Sequence, residues 1–315
     1  MGEAWKRLLA MEVAEVVAAL GNWDSPISSV RPLAGGLNSV VWAVRGADGA
    51  DYVAKLADAE SAEAFRTGLR GAERAAQRGL RSGPPVPLPG GALSVTVAAG
   101  ELALLEYVPG RGLDPACESD LVRAGAVLAR AHAALASDVD CVDPELRWPW
   151  PWAEHALTRI PMAAELRSAA GRALDDARRV SERDGLEVQV VHGDPAADAF
   201  RLGSGTCATG DRQRDGLIDW SAAMAAPALY DLGTVAAINA GHPDRLHAVV
   251  SGYLGTQPTR AIELHRLPTF ARLRWMCVAL YFADRIARGT VRGGSVDANH
   301  RGLAEARVRL TSTGI

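Results

Sequence analysis

The chain has 315 residues, of which 48% are apolar and 23% charged, with a formal net charge of −3. That length allows two lobes with separate cores, and that charge leaves no electrostatic footprint for nucleic acid. The four cysteines, Cys117, Cys141, Cys207 and Cys277, lack CxxC spacing, so reduced thiols in a cytoplasm are expected rather than disulfides or a zinc site.

The N-terminal segment EAWKRLLAMEVAEVVAALG is interrupted by Glu3, Lys6, Arg7, Glu12 and Glu15, so no signal peptide is expected. No stretch reaches the roughly 18 uncharged apolar residues of a membrane span. Leu8, Leu9, Met11, Val13, Val16, Val17 and Leu20 fall mostly on one helical face, and Gly21 ends that helix. ISSVRPLA, SVVWAVRG and DYVAKLA then read as three strands, with Gly35-Gly36 and GADGAD as the turns between them. Residues 59–80 are helical, and SGPPVPLPGG is too rich in proline to be anything but loop. LSVTVAAG and ELALLEYVPG form a hairpin. After Pro109-Gly110 the pattern turns helical, over 119–137, 152–182, 228–254 and 261–288, with strand-like pieces only at 186–203 and 216–220. The fold expected is α+β and bilobal, with a small antiparallel β lobe over 1–108 and a larger, mainly helical lobe over 109–315.

Four features follow one another in a fixed order. A glycine turn, LAGGLNSVVWAV, sits between strands and contains Gly35, Gly36, Asn38 and Ser39. YVAKL places Lys55 in a strand, and Lys6 is the only other lysine of the chain. VVHGD ends a strand in Asp194, and GLIDW delivers Asp219. Each alone has a plain structural reading. A Gly-Gly between strands is usually a turn, a strand lysine usually points to solvent, and an aspartate at a strand end often forms a turn or caps a helix. Val53, Ala54 and Leu56 alternate too poorly to fix the face of Lys55. Together the four fit phosphoryl transfer, which needs a backbone cover over phosphates, a cation upon them, a group at the incoming hydroxyl and a carboxylate for metal. No GxxxxGK[ST] motif occurs, which excludes a P-loop.

These segments resemble the aminoglycoside phosphotransferase family, small-molecule kinases with a protein-kinase-like fold, over roughly residues 25–290. VVHGD resembles the family's catalytic loop and GLIDWSAAMAAPALYDLG its metal-binding segment with the downstream Tyr-Asp-Leu. The resemblance implies transfer of the γ-phosphate of ATP or GTP, with Mg²⁺, to a hydroxyl of a small molecule such as an antibiotic or a sugar-like metabolite. It implies Asp194 as the base or hydroxyl-orienting group, with His192 and Gly193 shaping its loop. Asp219 is implied as metal ligand, and Lys55 as the nucleotide lysine, paired with Glu73 or, in reserve, Glu63. The backbone of Glu106 and Val108 is implied at the adenine edge. Asp231 is implied as a structural residue bonded to backbone near the catalytic loop. Neither nucleic acid nor membrane is an expected partner.

The chain departs from the family pattern at three places. The metal-binding asparagine five residues after the catalytic aspartate is Ala199, the acidic residue after IDW is Ser221, and a Gly-Asp-Pro is Ala225-Ala226-Pro227. Asp198 is either a replacement metal ligand or a solvated turn residue. Losing one preorganised electrostatic group costs on the order of 3 kcal/mol of transition-state stabilisation. An enzyme retaining Asp194 and Asp219 survives that loss, so a kinase is expected. The alternatives are a catalytically impaired nucleotide-binding regulator, which Ala199 favours, and a protein kinase, which the lack of an obvious activation segment between Asp219 and Asp231 disfavours. Trp148, Trp150 and Trp152 either anchor a helix start or form a stacking wall for the acceptor. Arg272, Arg274, Arg285, Arg288 and Arg292 read as a solvated face or, if they line the acceptor site, as a barrier to polycations. His132, His155 and His242 have no partner visible in the sequence.

Overall fold

The computed structural model describes residues 13–33, 39–203, 215–291 and 294–312. Helix α1 (Val13–Leu20) leads into β1 (Ile27–Leu33), β2 (Ser39–Gly46) and β3 (Asp51–Ala57). Helix α2 (Ala62–Gln77) intervenes before β4 (Val95–Val97) and β5 (Gly100–Glu106). The five strands form one antiparallel sheet in the order β1-β2-β3-β5-β4. The proline-rich segment runs as an extended edge beside β5, where Val86 N donates to Leu104 O and Glu106 N to Pro84 O.

One face of this sheet is apolar throughout. Trp42, Val44, Ala54, Leu56, Leu102 and Leu104 pack there against Val16 and Leu20 of α1. Strand alternation puts the next residues on the other face. Leu33 pairs with Val41, Val41 with Lys55 and Lys55 with Ala103, while Val53 pairs with Leu105. That second face looks toward the helical part of the chain and carries the lysine.

The helical part contains α3 (Glu118–Leu135), α4 (Pro151–Arg159) and α5 (Ala164–Arg183). Strand β6 (Val188–Val191) pairs antiparallel with β9 (Met224–Pro227), and β7 (Phe200–Arg201) pairs with β8 (Gly216–Leu217). Helices α6 (Leu229–Ile238), α7 (Pro243–Leu254), α8 (Leu267–Ala287) and α9 (Val296–Thr311) complete it. The single helix expected over 228–254 is two, because Gly241 takes φ +91 and Pro243 starts the next helix. Helix α9 and strand β9 were not foreseen. No described helix is long and apolar enough to cross a membrane. The three described cysteines are free.

The tryptophan cluster belongs to this core. Trp150 has no exposed surface, its Nε1 donates to Ala225 O at 2.9 Å, and its ring meets Trp148 and Tyr230 edge-on. It anchors the start of α4 and leaves no face of Trp150 for an acceptor. Of the arginines in and after α8, Arg272, Arg274 and Arg285 are not on a solvated face, whereas Arg288, past the helix end, is exposed. Arg272 donates to Leu310 O, Arg285 to Asn299 and Tyr281, and Arg288 pairs with Asp284 and Glu60. Arg292 lies outside the described residues.

Helices α3 and α7 cross with their backbones in contact. A Cβ on Gly125 would lie 1.9 Å from Val249 O, and one on Gly252 would lie 1.9 Å from Val122 O. Helix propensity favours alanine over glycine by about 1 kcal/mol, but forcing packed helices apart costs about 1–3 kcal/mol or more. Gly125→Ala and Gly252→Ala should therefore each lower stability by roughly 2 kcal/mol in a denaturant titration, against the sign of propensity. A stabilised variant would show that the helices do not touch.

Candidate active site

The two halves of the chain meet along a cleft with a free volume, counted to its open mouth, of about 850 Å³. Leu33, Val41, Val53 and Lys55 form its roof from the sheet, and Val108, Ile218 and Asp219 lie across from them. Glu106 and Val108 both line it. The Glu106 N–H is already bonded to Pro84 O, so of the Glu106 backbone only the carbonyl is left for a ligand. Gly35, Gly36 and Asn38 lie outside the described residues. Ser39 is buried at the start of β2.

Lys55 is 6% exposed, and its Nζ donates to Asp219 Oδ1 at 2.5 Å and to Ser221 Oγ at 2.6 Å. Ser221 Oγ donates in turn to Asp219 Oδ1 at 3.0 Å. Burial alone would raise the Asp219 carboxyl. The Lys55 charge and the Lys55 and Ser221 hydrogen bonds outweigh it and bring the group down to about 2, so it is ionised at neutral pH. The carboxylate still keeps 58% of its side-chain surface open to the cleft. Asp219 itself adopts φ +64, a left-handed conformation that turns its side chain out of the β8 line.

Helix α2 supplies no carboxylate to the lysine. Its cleft face is Phe65, Gly68, Leu69 and Ala72. A Cβ at Gly68 would lie 2.3 Å from Trp220 O, so the helix presses directly on the turn after Asp219. Glu63 pairs with Arg66. Among the described residues, no hydrogen bond or ion pair joins Glu73 to Lys55.

The segment VVHGD ends β6 in a turn that is tied on three sides. Asp231, with no exposed surface, accepts from the backbone N–H of His192 and of Gly193, each at 2.8 Å. It also accepts from His132 Nε2 at 2.9 Å, and His132 Nδ1 lies 2.8 Å from the Tyr253 hydroxyl. Burial would raise the Asp231 carboxyl, but the His132 hydrogen bond and the nearby imidazoles and amides hold it below the ordinary aspartate value. The expected structural role of Asp231 is met, and the partner missing from the sequence reading of His132 is this carboxylate. Gly193 has φ +86, and a Cβ there would lie 1.9 Å from Ala222 O. His192 Nε2 donates to Ile218 O at 2.9 Å, so Nδ1 is free to accept, weakly at 3.4 Å, from Asp194 N. One ring thus links the Asp194 loop to the residue before Asp219.

Asp194 is half exposed. Its Oδ1 accepts from Arg274 Nη2 at 2.7 Å, while Arg274 Nη1 lies 3.3 Å from Gly193 O. Arg274 was one arginine in a run of them, and nothing in the sequence singled it out. Asp198 is exposed, and no hydrogen bond or ion pair joins its side chain to Asp219 among the described residues. Ala199 is buried, so the position of the family's asparagine faces the core. Among the described residues no group of three or more His, Cys, Asp and Glu side chains gathers around a metal-sized space.

Several solved structures share this architecture. A microcompartment-associated aminopropanol kinase matches at 18% identity and a TM-score of 0.69, covering 95% of each chain. An amicoumacin kinase in complex with AMP-PNP and Ca²⁺ matches at 16% identity and a TM-score of 0.70, over 97% of this chain and 95% of that one. A spectinomycin phosphotransferase in complex with ADP and spectinomycin matches at 14% identity and a TM-score of 0.65, over 96% and 99%. At such identities the likeness is one of fold. No curated protein matches the sequence. The model of the phosphotransferase enzyme family (APH) matches residues 29–268. That span runs from β1 to the first turn of α8 and takes in Lys55, Asp194 and Asp219, and the chain belongs to this phosphotransferase family.

Proposed function

We propose that this phosphotransferase moves the γ-phosphate of ATP or GTP, with Mg²⁺, to a hydroxyl of a small molecule, an antibiotic or a sugar-like metabolite. The observation that supports it is the Lys55–Asp219 contact across the cleft, with Asp194 tied to the same wall through His192. The base edge of the nucleotide meets the Glu106 carbonyl and the Val108 backbone. The triphosphate reaches Lys55, which exchanges part of its contact with Asp219 and Ser221 for phosphate oxygens.

Magnesium takes hard oxygen ligands and is commonly held by one or two carboxylates plus substrate phosphates. Asp219, ionised and open to the cleft, fits that role, with Asp198 the reserve ligand on the neighbouring loop. The ion supplies neutralisation of phosphate charge when bound. The acceptor hydroxyl lies at Asp194. Arg274 occupies Oδ1, so Oδ2 is the oxygen left to take the hydroxyl hydrogen bond and its proton. The same arginine cancels the Asp194 charge that would otherwise attract a polycation to the acceptor end. Neutral or singly charged alcohols are therefore the better class of acceptor. The alternative of a non-catalytic regulator gains no support, because Lys55 and Asp219 line one cleft, Asp194 is linked to it through His192, and the family is one of enzymes.

The direct test is nucleotide consumption against aminoglycosides, amino alcohols and sugars, with mass spectrometry of each product. Phosphorylated alcohols are expected. Nucleotide binding without any phosphorylated product would remove the transferase reading. Asp194→Ala should abolish turnover while nucleotide affinity stays within a few-fold, and retained turnover would reassign the base. Asp219→Asn should lower turnover by a hundredfold or more at saturating magnesium. Arg274→Ala should lower kcat roughly tenfold with the nucleotide Kd unchanged, and Arg274→Lys should recover part of it. An effect of Arg274→Ala on nucleotide affinity alone would place that arginine elsewhere.

A further inference from the structure

The β7–β8 hairpin brings a charged residue to the cleft that no motif pointed to. Phe200 pairs with Leu217 and Arg201 with Gly216. Alternation sends Phe200 and Leu217 into the core, at 2% and 0% exposure, and turns Arg201 and Ile218 toward the cavity that both line. Arg201 Nη1 donates to Asp198 O at 2.9 Å and to Phe200 O at 3.1 Å. Two neutral carbonyls thus hold the guanidinium in place. Among the described residues no carboxylate pairs with it, whereas Lys55, the other cation of the wall, is neutralised by Asp219. Of the roof across from Arg201 and Ile218, Leu33, Val41 and Val53 are apolar, and only Lys55 carries a side-chain hydrogen-bonding group, which is held by Asp219 and Ser221.

We infer that Arg201 is a donor-recognition residue whose guanidinium lies flat against the nucleobase and forms the floor of the base slot. The inference rests on the nucleotide reading of the cleft. A delocalised, weakly hydrated cation attracts an aromatic face, and it does so best where water is excluded. An apolar roof and a planar cationic floor together hold a flat ring without reading its edge, which is left to the hinge backbone. The two anchoring hydrogen bonds lower the side-chain entropy lost when the ring arrives. A phosphate contact from the same arginine would grow with the charge of the ligand, and a stacking contact does not.

The experiment is calorimetric titration of the full chain with adenosine and ADP, and with guanosine and GDP, at low and high salt. Arg201→Ala should weaken nucleoside and diphosphate alike by roughly tenfold, with the same loss at both salt concentrations. Arg201→Lys should remain weak, because a point charge does not replace a plane. Arg201→Gln keeps a donor for the two carbonyls and loses the charge, and it should give the same loss if the alanine variant does not fold. Weakening of the diphosphate alone would overturn stacking in favour of a phosphate contact. Unchanged affinity for both ligands would overturn any role for Arg201. If the parent chain binds neither nucleoside nor diphosphate, the nucleotide reading itself falls and takes this inference with it.

Discussion

Asp231 lies beneath the turn that carries Asp194 and accepts three hydrogen bonds, two from consecutive backbone amides and one from His132. A carboxylate without exposed surface is costly unless each such bond is made, and removal of one partner leaves a buried charge or orphaned amides. The turn is therefore fixed from below by helix α6. From above it is fixed by contact, since Gly193 fits under Ala222 O only without a Cβ. Between these restraints the His192 ring spans from Asp194 N to Ile218 O. The relative placement of the two aspartates that matter, 194 and 219, follows from these three ties. The loop holding Asp194 cannot shift without breaking bonds in the core.

The lysine reaches the same wall by a different route. Its face is set by register, because Lys55 stands in the row with Leu33, Val41 and Ala103. Its partner is set by how α2 packs. Gly68 touches the backbone of Trp220, and a helix that close has no room for a long acidic side chain between itself and the turn. The amine therefore finds Asp219 and Ser221, both on that turn. The negative charge that a helix could have shared is concentrated on Asp219 alone, with the Ser221 hydroxyl beside it.

Much of this was legible in the chain, and the exceptions have physical causes. Strands β1 to β3 stood out because their glycine turns and β-branched residues leave few other readings, and α2 because its apolar positions recur at helical spacing. The face of Lys55 did not, since β3 runs nearly buried on both sides over Ala54 to Ala57 and shows no alternation. The partner of His132 lies 99 residues away and its Tyr253 contact 121 away, distances over which a sequence carries no pairing signal. Helix α9 was hidden because only Asn299, Ala306 and Leu310 of it are buried, too few to show a face. Arg274 and Arg201 were masked by abundance, as arginine is nearly the only basic residue here and one more attracts no notice. Asp194 and Asp219, each ordinary alone at a strand end, stood out because they follow the glycine turn and Lys55 in an order that phosphoryl transfer explains.

Two of the cations in and beside the cleft are balanced by carboxylates, and among the described residues Arg201 is not. Lys55 neutralises Asp219, and Arg274 neutralises Asp194. A Lys55–Asp219 pair balanced in this way offers little net attraction to an entering anion, whose charge must be desolvated. If the proposed function holds, the favourable exchange would be one in which Asp219 gives up the ammonium for a divalent ion while Lys55 gives up the carboxylate for phosphate. Each half alone leaves a charge uncompensated in a confined space, whereas both together leave none. On the proposed function, nucleotide and metal would therefore bind as a unit. Ser221, which bonds to both members of the pair, can stay with either one while the other is exchanged.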